Sequence, residues 1–123
     1  GFKELNSLGK SKIPKMIAVQ GKGYESLREK SHEESKLAEG IAIPEPPRKE
    51  QMLKILEETE GTCISVGDEE IKSALKELTS MGFLVEPTSA TAHGAFKSLL
   101  EEGYFETGSK ILIPLTGSGL KNL

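Results

Sequence analysis

The chain has 123 residues, 36% of them hydrophobic and 28% charged, a composition that fits one ordinary globular domain and excludes disordered, fibrous and membrane classes. Its 16 basic and 19 acidic residues leave a net charge of -3 and are interspersed; without a basic stripe or interleaved aromatics, nucleic-acid binding is not expected. Cys63 is the single cysteine and cannot close an internal disulfide, and no apolar run approaches the roughly 18 residues of a membrane span, so a reducing cytoplasm fits best.

In chain order, the opening "GFKEL" reads as the middle of a helix and Gly1 replaces a start methionine, as in a fragment or a processed chain. "MIAV", residues 16–19, is a short apolar run bounded by Pro14, Gln20 and Gly21, the pattern of a strand covered on both faces. Residues 21–48 are polar at first and then carry three of the six prolines. They read as a surface helix followed by a Pro-stiffened crossing segment.

Met52, Leu53, Ile55 and Leu56 mark an amphipathic helix over 49–60, stopped by Gly61. "CISV", 63–66, is a second strand. Asp68 can cap a helix over 68–81, with Glu69 and Glu70 at the positive end of its dipole and Ile71, Ala74, Leu75, Leu78 and Met81 on one face before Gly82. "FLV", 83–85, is a third strand; a helix over 89–102 follows, with Ala92, Phe96, Leu99 and Leu100 before Gly103. "ILIPL", 111–115, is a fourth strand, although Pro114 cannot donate to a ladder and argues for an edge or an irregular end. Short strands alternating with helices of this length predict an α/β fold with a parallel open sheet and flanking helices, in one domain over 1–123.

Ligands of such sheets bind beyond the carboxyl ends of the strands. Two loops stand there. "EPTSA" places Glu86 and Pro87 before small hydroxyl residues, and "TGSG" offers the neutral hydroxyl of Thr116 beside Gly117 and Gly119, which let a backbone approach a ligand closely. The plain alternatives are a helix N-cap with a solvated glutamate for the first and a flexible tail for the second. The glycines of "TGSG" do not open a helix, so a phosphate loop is not the reading.

Other chemistry is weaker. Cys63 lies in a strand, where burial raises a thiol's pKa and leaves it inert. His32 sits in the charged run "KSHEESK", and His93 on the early part of a helix has no second His or Cys at ligand spacing, so no metal site is expected. The 14 lysines lie on polar faces or in loops, and "GSG" at 117–119 lacks the spacing of a nucleophile elbow. The residues alone give an α/β unit with half a binding site and no catalytic group.

The ordered series "GFKEL", "PKMIAVQ", "AEGIAI…PPR", "SVGDEEIKSALKEL", "GFLVEPTSA" and "LTGSGLK" resembles the C-terminal part of the threonine synthases, pyridoxal-phosphate enzymes of fold type II. The resemblance covers essentially the whole chain and is most specific in "EPTSA" and "LTGSGLK". It implies that the chain is part of a larger catalytic domain, that the cofactor is pyridoxal 5′-phosphate, and that the reaction turns O-phosphohomoserine and water into threonine and phosphate. It also implies that Thr116, with Gly117 beside it, meets the pyridine nitrogen and that Glu86 lies close to the cofactor. A neutral hydroxyl does not hold that nitrogen protonated as a carboxylate does, which tempers the ring as an electron sink.

The family's Schiff-base lysine, substrate-binding small domain and cofactor-phosphate loop lie earlier in the polypeptide, so the resemblance implies no catalytic residue within these 123 and an inactive isolated chain. A half of this kind exposes a sheet edge and an apolar face and is expected to self-associate, as a dimer or by aggregation. Two departures stand out: "GKGYESL" where the family has a small residue or Cys and then Pro, and Asn122 where it has aspartate. The alternatives are another fold type II lyase, such as a cysteate synthase or a serine or threonine dehydratase, and a non-catalytic binding module.

Overall fold

The two strands whose apolar runs are followed by turn residues pair with each other. In a computed structural model, which describes residues 1–122, β1 (Ile17–Gly21) lies parallel to β2 (Thr62–Val66), with Ile17 opposite Thr62 and Gly21 opposite Val66. The ladder starts tightly: Thr62 N–H donates to the Met16 carbonyl at 3.2 Å, and a side chain at position 61 would collide with that same carbonyl, so Gly61 is required there. Four helices accompany the pair: α1 (Phe2–Ser7), α2 (Lys49–Glu58), α3 (Asp68–Ser80) and α4 (Pro87–Glu101). Short 3-10 turns lie at Glu39–Ile41 and Gly119–Asn122. The parallel open sheet with flanking helices is therefore present, with two strands among the described residues.

The core lies where α4 packs against α3 on one side and against both strands on the other. Val66, Ile71, Ala74 and Ala90 are fully buried, and Ile64, Leu78, Ala95 and Leu99 complete the cluster with Ala38. On α3 the expected face holds at Ile71, Ala74 and Leu78, whereas Met81 is half-exposed beyond the helix end. On α4 the buried face is shifted to Ala90, His93, Gly94, Ala95 and Leu99, and Leu100 points outward. The shift follows from Gly94, which brings α4 close to α3: a Cβ there would sit 3.3 Å from the Glu70 carbonyl oxygen. Glu77 on α3 joins the two helices by accepting Lys97 Nζ at 2.6 Å, and this contact, ahead of the others, holds its carboxyl below the ordinary range.

Three expectations are corrected. Residues 83–85 form no strand; Val85 makes one isolated antiparallel bridge to Ser118. Residues 111–115 form no strand either, and Leu112 is 82% exposed. Both are apolar runs, but a strand also needs a continuous ladder: residues 83–85 meet residues 117–119 over the one bridge alone, residues 111–115 pair with no strand among the described residues, and Pro114 removes a donor.

Third, the stretch 21–48 contains no α-helix. Polar side chains bind its backbone instead: Gly23 N–H donates to Glu25 Oε2 at 2.7 Å, and Leu27 N–H donates to Oε1 of Gln20 in β1 at 3.1 Å, bonds that compete with helix formation. Asp68 anchors the same stretch. It is the first residue of α3, not its cap, and its Oδ1 accepts from Ser35 Oγ at 2.7 Å, Lys36 N at 3.0 Å and Leu37 N at 3.1 Å. The Ser35 bond is the main reason its carboxyl titrates below the usual aspartate value.

Candidate functional site

The chain after residue 115 is fixed to the start of α4 by a short antiparallel contact. Gly119 N–H donates to the Leu84 carbonyl at 3.1 Å and Glu86 N–H to the Gly117 carbonyl at 3.0 Å, on either side of the Val85 and Ser118 bridge. The reading of "TGSG" as a free tail is thereby excluded, although the anchor is this contact and not a preceding strand. Pro87 opens α4 with its fixed φ and missing N–H at a position where no donor is needed, and Glu86 stands at the N-cap, next to the positive end of the helix dipole.

Ser89, two residues into α4 and 4% exposed, ties the two segments together. Its Oγ accepts Gly117 N–H at 2.6 Å and lies 3.0 Å from Thr116 Oγ1. Gly117 is needed for close approach, because a Cβ there would overlap the Glu86 carboxylate. That carboxylate is in turn paired with Lys121 Nζ at 2.7 Å. The three residues singled out in the sequence, Glu86, Thr116 and Gly117, are thus brought together. Ser89 and Lys121 were read only as a capping hydroxyl and a loop residue; the spacing of Ser89 three positions after Glu86, inside "EPTSA", was the available signal.

Thr116 opens on a cavity of about 320 Å³ between β1, α4 and residues 111–116. Ile17 and Val19 of β1 and Ala95, Phe96 and Leu99 of α4 give it apolar walls, while Thr88, Ser89, Thr91 and Thr116 supply hydroxyls. Among the described residues that line it, none titrates, so the cavity can bind and orient a flat, largely apolar group but offers it no acid or base of its own. The other candidates stand apart. Cys63 has its pKa raised by burial, against the opposing charge of Arg28, and His93 packs between Phe96 and Glu77 in the α3 and α4 contact.

The pyridoxal-phosphate dependent enzyme family matches residues 1–117, a span that includes Glu86, Ser89, Thr116 and Gly117. The chain belongs to this family. Pyridoxal phosphate is accordingly the cofactor of the enzymes it groups with, and fold type II is their architecture.

Among curated relatives, the chain is similar to the threonine synthase of Methanocaldococcus jannaschii, 33% identical over 134 residues that cover 99% of this chain and 33% of the relative. The threonine synthase of Methanosarcina acetivorans is 30% identical, covering 99% of this chain and 33% of its own length, and that of Mycobacterium bovis 29% identical, covering 99% and 35%. The chain therefore spans about a third of the length of these relatives. Among the described residues, no helix is long and apolar enough to cross a membrane.

Proposed function

We propose that this chain forms the C-terminal part of a threonine synthase, an enzyme that converts O-phosphohomoserine and water into threonine and phosphate. In this reading Thr116 faces the pyridine nitrogen of the cofactor, Gly117 lets the ring approach, and Glu86 flanks it. The observation that carries the reading is the junction itself: Thr116 is fixed by Ser89 and by the contact between residues 84–86 and 117–119, at the mouth of an apolar cavity. The relatives' common name supports the choice of reaction over the other fold type II lyases.

The residues present fit the ring end of the cofactor. A flat heteroaromatic ring needs apolar walls and one polar contact at its nitrogen, and Ile17, Val19 and Phe96 meet the first need and the Thr116 hydroxyl the second. When bound, the cofactor supplies the electron withdrawal that lets bonds at the substrate's α carbon break. This chain's contribution is to orient the ring and to leave its nitrogen against a neutral hydroxyl. Glu86, neutralised by Lys121, stands beside the ring without placing a net charge on it. The reacting lysine and the phosphate loop belong, in this reading, to the preceding two-thirds of the polypeptide, and the isolated chain is inactive, cytoplasmic and prone to self-association.

The test is an assay of the protein read from the gene with its upstream sequence, supplied with O-phosphohomoserine. Threonine and phosphate released in equal amounts support the reading. Release of ammonia and a 2-oxo acid from serine or threonine, with no reaction of O-phosphohomoserine, would move the protein to the dehydratases.

A further inference from the structure

Residues 35–41 run as a strap from the start of α3 to the start of α4, and a side chain holds each end. At the first end, Oδ1 of Asp68 accepts Ser35 Oγ at 2.7 Å, Lys36 N–H at 3.0 Å and Leu37 N–H at 3.1 Å. At the second, Gly40 N–H donates to Thr88 Oγ1 at 3.1 Å. The strap is also braced between its ends. Ser35 Oγ accepts Ala38 N–H at 3.3 Å, Ala38 is fully buried, and Ile41 N–H closes a 3-10 turn on the Ala38 carbonyl at 3.1 Å. Gly21 makes room for it, since a Cβ there would stand 3.0 Å from Ala38 Cβ.

The far end of the strap meets the cavity. Ile41 and Thr88 both line it, whereas Asp68 does not. Gly40 fits closely against Thr88: a Cβ at position 40 would stand 2.9 Å from both Oγ1 and Cγ2 of Thr88. The strap and the Thr88 side chain therefore take their positions together.

From this series of contacts we infer that Asp68 is a positioning residue for the cavity: through the strap it fixes where Ile41 and Thr88 stand, and so how well the cavity holds a flat ring. The inference rests on the proposed reading of the cavity as the site of the cofactor ring, and adds what keeps one wall of it in place. Without Asp68 the strap loses three bonds at one end, and Ile41 and Thr88 must be ordered again when a ligand enters. Ordering of this kind costs about three- to tenfold in affinity for each side chain.

Two measurements on this 123-residue chain separate the parts of the inference. The first is NMR without ligand. The amide of Gly40 and the methyl groups of Ile41 and Thr88, none of which bonds Asp68, are expected to shift in Asp68→Ala. They should keep their wild-type positions in Asp68→Asn, which retains an acceptor oxygen. Shifts that end at Leu37 would overturn the inference. Should Asp68→Ala not fold, Ser35→Ala, which cuts the link from Asp68 to Ala38, is read in the same way.

The second measures the dissociation constant of pyridoxine 5′-phosphate, which has the cofactor's ring but no aldehyde to react with surface lysines. Binding is expected to weaken about tenfold in Asp68→Ala and in Gly40→Ala, whose methyl displaces Thr88, and to stay within about twofold of wild type in Asp68→Asn. Because both residues act through one strap, the double alanine variant should bind no more weakly than either single one. Independent losses would multiply to about a hundredfold and would defeat the coupling. Lys97→Ala loosens the contact of α3 with α4 away from the strap and should bind as wild type does; an equal loss there would reduce the role of Asp68 to general stability. A probe that does not bind the wild-type chain would defeat the cofactor-site reading, and with it the effect on the ligand, while the ligand-free shifts decide the strap by themselves.

Discussion

Two sets of flanking segments use similar residues to different ends. On the covered flank, where α4 packs against α3 and against both strands, Val66, Ile71, Ala74 and Ala90 are removed from water. On the open flanks, α2 carries an amphipathic stripe with no buried residue, and Ile111 and Leu112, at the outer wall of the cavity, are exposed. Apolar patterning states where a segment would gain from burial; whether it is buried depends on a partner being present. Side chains on the covered flank therefore carry the stability of the chain, and those on the open flank carry its capacity to associate.

The contrast can be broken most forcefully at Ile71. Ile71→Ala removes a fully buried side chain between α3 and α4 and is expected to cost about 2–5 kcal/mol, read as a fall in the urea midpoint. Gly117→Ala comes next, since its methyl must displace the Glu86 carboxylate and so loosens the junction; about 1–3 kcal/mol is expected, with the largest amide shifts at Glu86 and Ser89.

Asp68→Ala, which frees three donors of the 35–37 segment, should cost about 1–2 kcal/mol. The sign of the accompanying pH effect follows from its depressed pKa. The folded state binds the Asp68 proton less readily than the unfolded one, so the contribution is fully present above the unfolded value near 3.9 and is lost as pH falls through the lower folded value. The stability difference between wild type and Asp68→Ala should therefore shrink below about pH 4, and a difference that grew on acidification would contradict the assignment.

The smallest stability effect is predicted on the open flank, where Leu112→Ala should change the midpoint by no more than about 0.5 kcal/mol. Its effect belongs to association instead. Concentration-dependent sedimentation of the wild type, reduced in Leu112→Lys, is the expected pattern, and a wild type that stays monomeric at high concentration would remove the proposal of self-association.

Much of this was legible in the sequence. The helices at 49–60, 68–81 and 89–102 and the strands at 16–19 and 63–66 fall within a few residues of α2, α3, α4, β1 and β2, because helical spacing and bounded apolar runs are local signals. The runs at 83–85 and 111–115 carried the same signal but join no ladder beyond the single bridge at Val85, which is information held elsewhere in space. The polar stretch 21–48 misled for another reason: helix-compatible composition was outweighed by side chains such as Gln20 and Glu25 that bind nearby amides.

At the site, Glu86, Thr116 and Gly117 were visible as loop chemistry and through the family resemblance. Ser89 was not, because a buried hydroxyl in the first turn of a helix reads as an ordinary cap until the residue it touches, 27 positions away, is known.

The central claim is that the junction of α4 with residues 116–117 is one wall of a cofactor site. Titrating the nitrogen-15-labelled chain with pyridoxine 5′-phosphate tests it directly. The account predicts that the amides of Ser89, Thr116 and Gly117 shift together and saturably while those of Lys22, Cys63 and Glu77 remain in place. Shifts absent from the junction, or centred on the acidic surface around Glu69 and Glu70, would contradict it.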